Sequence, residues 1–270
     1  LHGGSVPAGY AKEVSLAKKN TIPILITGSH RSGSTWMGRT ISSHPDVAYI
    51  QEPFNVRYPN ASLGLHLDTW FTDYYSSNKK EEISTAFNRL LRKSHLNKTI
   101  DICKEAGMDI KTPLRFFKHF LLPLDRRVLV KDPIALLSAG WLYETYGFDV
   151  IVMIRNPLAF VGSLKVAGWD FNFEEFLKQD VLMSTRLAKY ADDIEYMCSS
   201  ENESDFIDRA ALLWNILHYM ILEYQKQYPS WFYVKYESIA WRPEEEFMKI
   251  YDYLDLKVDA NILNYINGYT

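Results

Sequence analysis

Arg31 is the one cation in a short segment, Gly28-Ser-His-Arg-Ser-Gly-Ser-Thr-Trp36, that follows the apolar run Ile24-Leu-Ile-Thr27. A strand that ends in glycine, turns through a second glycine and opens a helix on Ser34 and Thr35 aims backbone N–H groups and a helix N-terminus at one anion. The glycines let the backbone approach an oxyanion closely. The hydroxyls of Ser32, Ser34 and Thr35 add donors, and Arg31 adds a forked charge matched to oxyanions. Gly28 and Gly33 have the separation of a nucleotide-binding P-loop, glycine-x4-glycine-lysine-Ser/Thr. Ser34 stands where that loop's lysine belongs, and the cation sits inside the loop instead. The segment therefore reads as a P-loop relative that holds a phosphate without the usual triphosphate grip. The plainer alternative is a strand-to-helix turn with an exposed arginine.

A second apolar run, Asp149–Ile154, ends in Arg155-Asn-Pro157, and Ser163 follows eight positions after Arg155. Pro157 suits the first turn of a helix, which places Ser163 about two turns along it. An arginine at a strand end and a serine on the next helix can grip another phosphate. Taken alone the pattern is weak, because such residues are usually structural.

These segments need a scaffold that brings strand ends together. Apolar runs at Ile22–Thr27, Val47–Ile50, Val128–Val130, Val150–Ile154 and Trp231–Val234 read as buried strands. Helical patterns fall between or after them, at Ser34–Ser43, Glu81–Lys93, Ala135–Tyr146, Leu158–Val166, Asp205–Gln227 and Glu244–Leu254. The alternation implies a parallel sheet covered on both faces. The expectation is an α/β, P-loop-like three-layer sandwich with a central parallel sheet flanked by helices. It forms one domain over residues 1–270, with 1–20 as an N-terminal extension. Residues Asn55–Ser77 are aromatic and irregular and could form a lid or substrate loop.

Composition narrows the partners. The chain has 270 residues, 47% of them hydrophobic and 23% charged, with a net charge of −3. Those are ordinary globular values, and the slight acidity argues against a nucleic-acid binder, which needs a basic surface. No apolar run is long enough for a transmembrane helix. The two cysteines, Cys103 and Cys198, make no disulfide scaffold and no metal-type spacing.

Taken together, Arg31-Ser-Gly-Ser-Thr-Trp36 and Arg155-Asn-Pro…Ser163 resemble the sulfotransferases that use 3′-phosphoadenosine-5′-phosphosulfate (PAPS). Ser43-His-Pro-Asp-Val47, Glu52-Pro53 and Val130-Lys-Asp-Pro133 resemble the carbohydrate and tyrosylprotein branches of that family. Val234-Lys-Tyr-Glu237 with Pro243 resembles a late structural segment. The matches run in family order over about residues 22–256. The resemblance implies that Arg31, Ser32, Gly33, Ser34 and Thr35 hold the 5′-phosphosulfate, with Trp36 against the adenine. It implies that Arg155 and Ser163 hold the 3′-phosphate. It further implies Glu52 as general base, with Lys131 and Arg31 stabilising charge on the transferred group. A carboxylate can serve as base where burial brings its pKa toward neutrality. PAPS would be the sulfate donor and PAP the product, with no metal demanded. Asp132 stands where the cytosolic branch carries a histidine base, so a histidine mechanism is not expected. Nor is that branch's Gly-rich basic C-terminal segment visible.

The expected acceptor is a hydroxyl of a glycan or glycolipid, with a peptide tyrosine as alternative. Aromatics Phe54, Tyr58, Trp70, Phe71, Tyr74 and Tyr75 could stack on sugars or form a local core. A P-loop kinase using ATP-Mg would instead need a loop lysine, which is missing, and Asp132 is the only metal-carboxylate candidate. A non-catalytic binding module that keeps both cradles is a third reading. The expected location is the bacterial cytoplasm, or the Golgi lumen if an upstream anchor was removed.

Overall fold

The computed structural model describes residues 22–57, 67–91 and 126–268. The N-terminal extension, Tyr58, Lys93 and Cys103 lie outside these residues. Strand β1 (Ile24–Gly28) leads through a tight loop into helix α1 (Ser34–Ser42), and then strand β2 (Val47–Gln51) follows. Helix α2 covers residues 80–91. Strand β3 (Arg127–Lys131) is followed by a 3-10 turn, Pro133–Ser138, helix α3 (Ala139–Tyr146) and strand β4 (Asp149–Ile154). Beyond β4 come α4 (Pro157–Ala167), α5 (Glu174–Leu177), α6 (Asp180–Ser184), α7 (Ala191–Cys198) and the long α8 (Phe206–Gln227). The chain then forms β5 (Phe232–Lys235), α9 (Tyr236–Trp241), α10 (Pro243–Leu254) and α11 (Ala260–Asn267).

All five runs expected to be strands are strands, and they pair in parallel in the order β2-β3-β1-β4-β5. Alternating side chains build the two outer layers. Leu25, Val128, Val130, Val150 and Val152 face a core shared with Phe87, Leu142, Phe160, Leu213 and Leu217 from α2, α3, α4 and α8. Ile24, Ile26, Leu129, Ile151 and Met153 face the other way, onto Met37, Ile41, Phe247, Ile250 and Ile262 from α1, α10 and α11. This is the three-layer sandwich expected from the sequence. None of the helices among the described residues is long and apolar enough to cross a membrane.

One element differs from the sequence reading. The helix expected over Ala135–Tyr146 begins as a 3-10 turn. Its six residues are all buried, and Asp132 caps them by accepting the Ile134 N–H. Ser138 accepts the Tyr74 N–H and donates to the Thr72 carbonyl, so contacts with the 67–77 segment override local helical preference. Part of that segment, with Phe54 before it, joins the core. Phe54, Phe71 and Tyr74 are buried, whereas Tyr75 is exposed.

Parallel order places β1 in the middle of the sheet, and its end is crowded. Gly28 has φ +133°, and a Cβ there would run into the backbone of Met153 on β4. Gly28→Ala combines backbone strain with overpacking and is expected to cost about 3 kcal/mol or more. Urea unfolding of the variant checks this, and an unchanged midpoint would contradict it.

Candidate active site

The loop after β1 carries two left-handed residues, Arg31 (φ +60°) and Gly33 (φ +82°), and α1 opens at Ser34. Behind the loop, the hydroxyls of Ser29 and Ser32 are buried and have no hydrogen-bond partner. The N-terminus of α1 at the end of this loop suits an oxyanion ligand.

The second cradle closes directly onto the first. Arg31 Nε donates to Ser163 Oγ on α4 at 3.0 Å. The Arg155 guanidinium donates in return to the Arg31 carbonyl. Asn156 caps α4 through the N–H groups of Leu158 and Ala159, and Pro157 takes the first helical position. Arg155 lies over the ring of Tyr236, 4.6 Å from its centroid. Its carbonyl accepts the Trp214 indole N–H at 2.9 Å, and Glu237 accepts the Asn156 N–H at 3.0 Å. Tyr236 also packs on Gly33, where a Cβ would strike its ring.

Across the cleft stands Glu52, just past β2, with φ +45°. Its N–H donates to the Lys131 carbonyl at 2.8 Å, extending the β2–β3 pairing by one residue. Lys131 is fully buried, and its ammonium forms an ion pair with Glu52 Oε1. Asn55 Nδ2 donates to Oε2 at 2.8 Å. Both carboxylate oxygens are therefore held while the side chain stays about one quarter exposed, facing the cleft.

The cleft measures about 530 Å³. Of the residues singled out from sequence, Arg31, Gly33, Ser34, Thr35, Glu52 and Arg155 line it. Lys131 and Ser163 stand behind, bonded to Glu52 and Arg31. Ser32 is fully buried. Trp36 packs edge-on against Tyr236 and Phe247, with centroids at 6.3 and 5.6 Å. The sequence reading missed Tyr236, Arg57 and Trp169, and it left His30 without a role; all four line the cleft. Tyr236 lay within a matched segment read as structural. Nothing in the sequence marked Trp169, which follows the Gly168 cap of α4.

A model of the sulfotransferase family matches residues 23–260. The chain belongs to the sulfotransferase family. No curated protein matches it. Among solved structures, the sulfotransferase domain from the curacin biosynthetic pathway is 15% identical, with a TM-score of 0.48, over 90% of this chain and 77% of that one. A sulfotransferase from Mycobacterium avium is 14% identical, TM-score 0.46, over 97% and 70%. One from Alicyclobacillus acidocaldarius is 12% identical, TM-score 0.40, over 92% and 90%.

In this sulfotransferase the carboxylate next to Lys131 is a structural anchor. Asp132 is fully buried. Its Oδ2 accepts the Phe54 N–H at 2.7 Å and its Oδ1 the Ile134 N–H at 2.9 Å, which fixes the turn that carries Glu52. Burial pushes its pKa up to about 7, against the pull of the Phe54 N–H. An unfolded aspartate loses its proton near pH 4. Between about pH 4 and 7 the folded chain thus holds the extra proton, and this group's contribution to stability falls as pH rises. Asp132→Asn removes that titration and one backbone bond. Its stability deficit by urea unfolding is expected to be largest near pH 4 and to narrow toward pH 7. A deficit independent of pH would contradict the assignment.

Proposed function

We propose that this sulfotransferase moves a sulfuryl group from PAPS to a hydroxyl of a glycan or glycolipid by in-line displacement, with Glu52 as general base. One observation carries the reading. The two anion cradles are closed into a single site, through Arg31 on Ser163 and Arg155 on the Arg31 carbonyl. A nucleotide phosphorylated at both its 5′ and 3′ positions needs two such cradles at a fixed separation, whereas an ordinary ATP site does not.

Arg31, Ser32, Gly33, Ser34 and Thr35 would hold the 5′-phosphosulfate, and Arg155 with Ser163 the 3′-phosphate. Trp36, packed on Tyr236 beside the loop, would border the adenine. Bound PAPS supplies the activated sulfuryl group. Glu52, kept in one orientation by Lys131 and Asn55, takes the proton from the attacking acceptor hydroxyl. Lys131 and Arg31 place positive charge where negative charge develops. Positioning and charge stabilisation dominate transfers of this type. The glycan acceptor is supported by the cleft's aromatic wall. Trp70 and Trp169 meet there edge to face, 5.7 Å between centroids, a surface suited to the apolar faces of a sugar. A tyrosine acceptor is the alternative.

Transfer of labelled sulfate from PAPS to a panel of glycans, tyrosine peptides and phenols tests the reading directly. Thermal stabilisation by ATP-Mg but not by PAP would overturn it. Glu52→Gln is expected to bind PAP normally and to lose about 10²–10⁴-fold in turnover. Normal turnover would remove Glu52 from the role of base. Arg155→Ala is expected to weaken PAP roughly 10- to 100-fold, the size of a lost charge-assisted hydrogen bond. AMP, which lacks the 3′-phosphate, should bind wild type and variant alike in calorimetry.

A further inference from the structure

His30 is the least explained polar group of the cleft. It immediately precedes Arg31, is 4% exposed, and neither ring nitrogen has a hydrogen-bond partner. Three aromatic rings enclose it. Trp169 stands edge-on at 4.1 Å, Phe160 edge-on at 4.9 Å and Phe71 tilted at 5.8 Å. His30 also lines the cleft, with both ring nitrogens just beneath its surface. A phenyl ring would fill such a cage without leaving two buried polar atoms unpaired, an arrangement that is normally avoided. Burial, with Arg31 beside it, holds the His30 pKa well below the ordinary histidine value, so the ring is neutral. One nitrogen is then a donor and the other an acceptor.

The neighbours of His30 tell which ligand it faces. On the reading above the nucleotide would lie along Arg31, Thr35, Arg155 and Tyr236. The His30 ring itself packs on Trp169, Phe160 and Phe71, and Trp169 meets Trp70 in the same cleft lining. A neutral imidazole beside the Trp169 indole, itself packed on Trp70, suits a ring with apolar faces and hydroxyls at its edge. A hydroxyl can satisfy either nitrogen, as donor or as acceptor, whereas a carboxylate satisfies only a donor and an ammonium only an acceptor. We infer that His30 is an acceptor-binding residue that hydrogen-bonds a second hydroxyl of a polyhydroxylated ring, one that is not sulfated. The inference rests on the glycan reading above and deepens it.

The test combines wild type, His30→Phe and His30→Gln with an active sugar acceptor and its series of monodeoxy analogues. His30→Phe keeps the aromatic cage and removes both nitrogens. It is expected to match or exceed wild type in Tm, bind PAP within about twofold, and lose roughly 10- to 100-fold in kcat/KM on the parent sugar. One analogue, lacking a hydroxyl other than the sulfated one, should show the same loss with wild type and no further loss with His30→Phe. His30→Gln, which retains one donor and one acceptor, should recover part of the discrimination and serves if the Phe variant does not fold. Equal losses on every analogue, or unchanged kinetics on the parent sugar, would overturn the role of His30 alone. Sulfation of phenols or tyrosine peptides but of no sugar would overturn it together with the glycan reading.

Discussion

The site hangs on one buried carboxylate. Asp132 leaves β3 with its own N–H bonded to the Ile26 carbonyl of β1, while its side chain grips Phe54 beyond β2 and Ile134 in the following turn. Three stretches of chain are therefore fixed to each other by a single residue. Burying such a group is costly unless its hydrogen bonds are met, and here two backbone donors meet them. With Phe54 fixed, the Glu52 turn has one position, and Lys131 reaches it from the neighbouring strand. The charge arrangement of the cleft is thus set by main-chain geometry beneath it, before any ligand contributes.

The same economy shows in the backbone. Arg31 and Glu52 are two of four described non-glycine residues at positive φ, Arg31 beyond the carboxyl end of central β1 and Glu52 just past the end of edge strand β2. Such conformations cost about 1–3 kcal/mol each and persist only where surroundings over-determine them. Arg31 is held by Arg155 on its carbonyl and Ser163 on its side chain. Glu52 is held through its N–H, its carbonyl and both carboxylate oxygens. Each turn aims its side chain into the crevice at the ends of parallel strands, where open α/β sheets place ligands.

How much of this could be read from the chain follows from the range of the interactions. Val150-Ile-Val-Met153 is apolar throughout because β4 is covered on both sides, so its character is written locally. Asn156-Pro157 likewise announces the start of α4. The order β2-β3-β1-β4-β5 is a property of pairing between distant segments, and no local pattern encodes it. Arg31, Arg155 and Ser163 stood out because they fall at fixed spacings from strand ends, and the fold brings them together. The Lys131–Glu52 pair was only half legible. Each residue stood out, but their bond depends on β2 and β3 lying side by side. Trp169 and the aromatic cage of His30 were illegible, since Phe71, Phe160 and Trp169 come from three separate segments and look like any core aromatics. Trp70 shows the converse, an aromatic beside buried Phe71 that reaches the cleft.

Tyr236 ties the last strand to the first loop. It packs on Gly33, stacks with Arg155 and meets Trp36 edge-on. Yet it enters the chain only after β5, whereas Gly33 belongs to the opening turn of the sheet. During synthesis from the N-terminus, the cradle sequence thus emerges long before the ring that shapes one of its walls. A nascent chain halted before β5 would carry every residue of the phosphate loop and still lack the finished wall. Because a ligand stabilises only the state that binds it, any ligand that needs this wall would protect the completed chain from proteolysis and leave its unfinished precursors exposed.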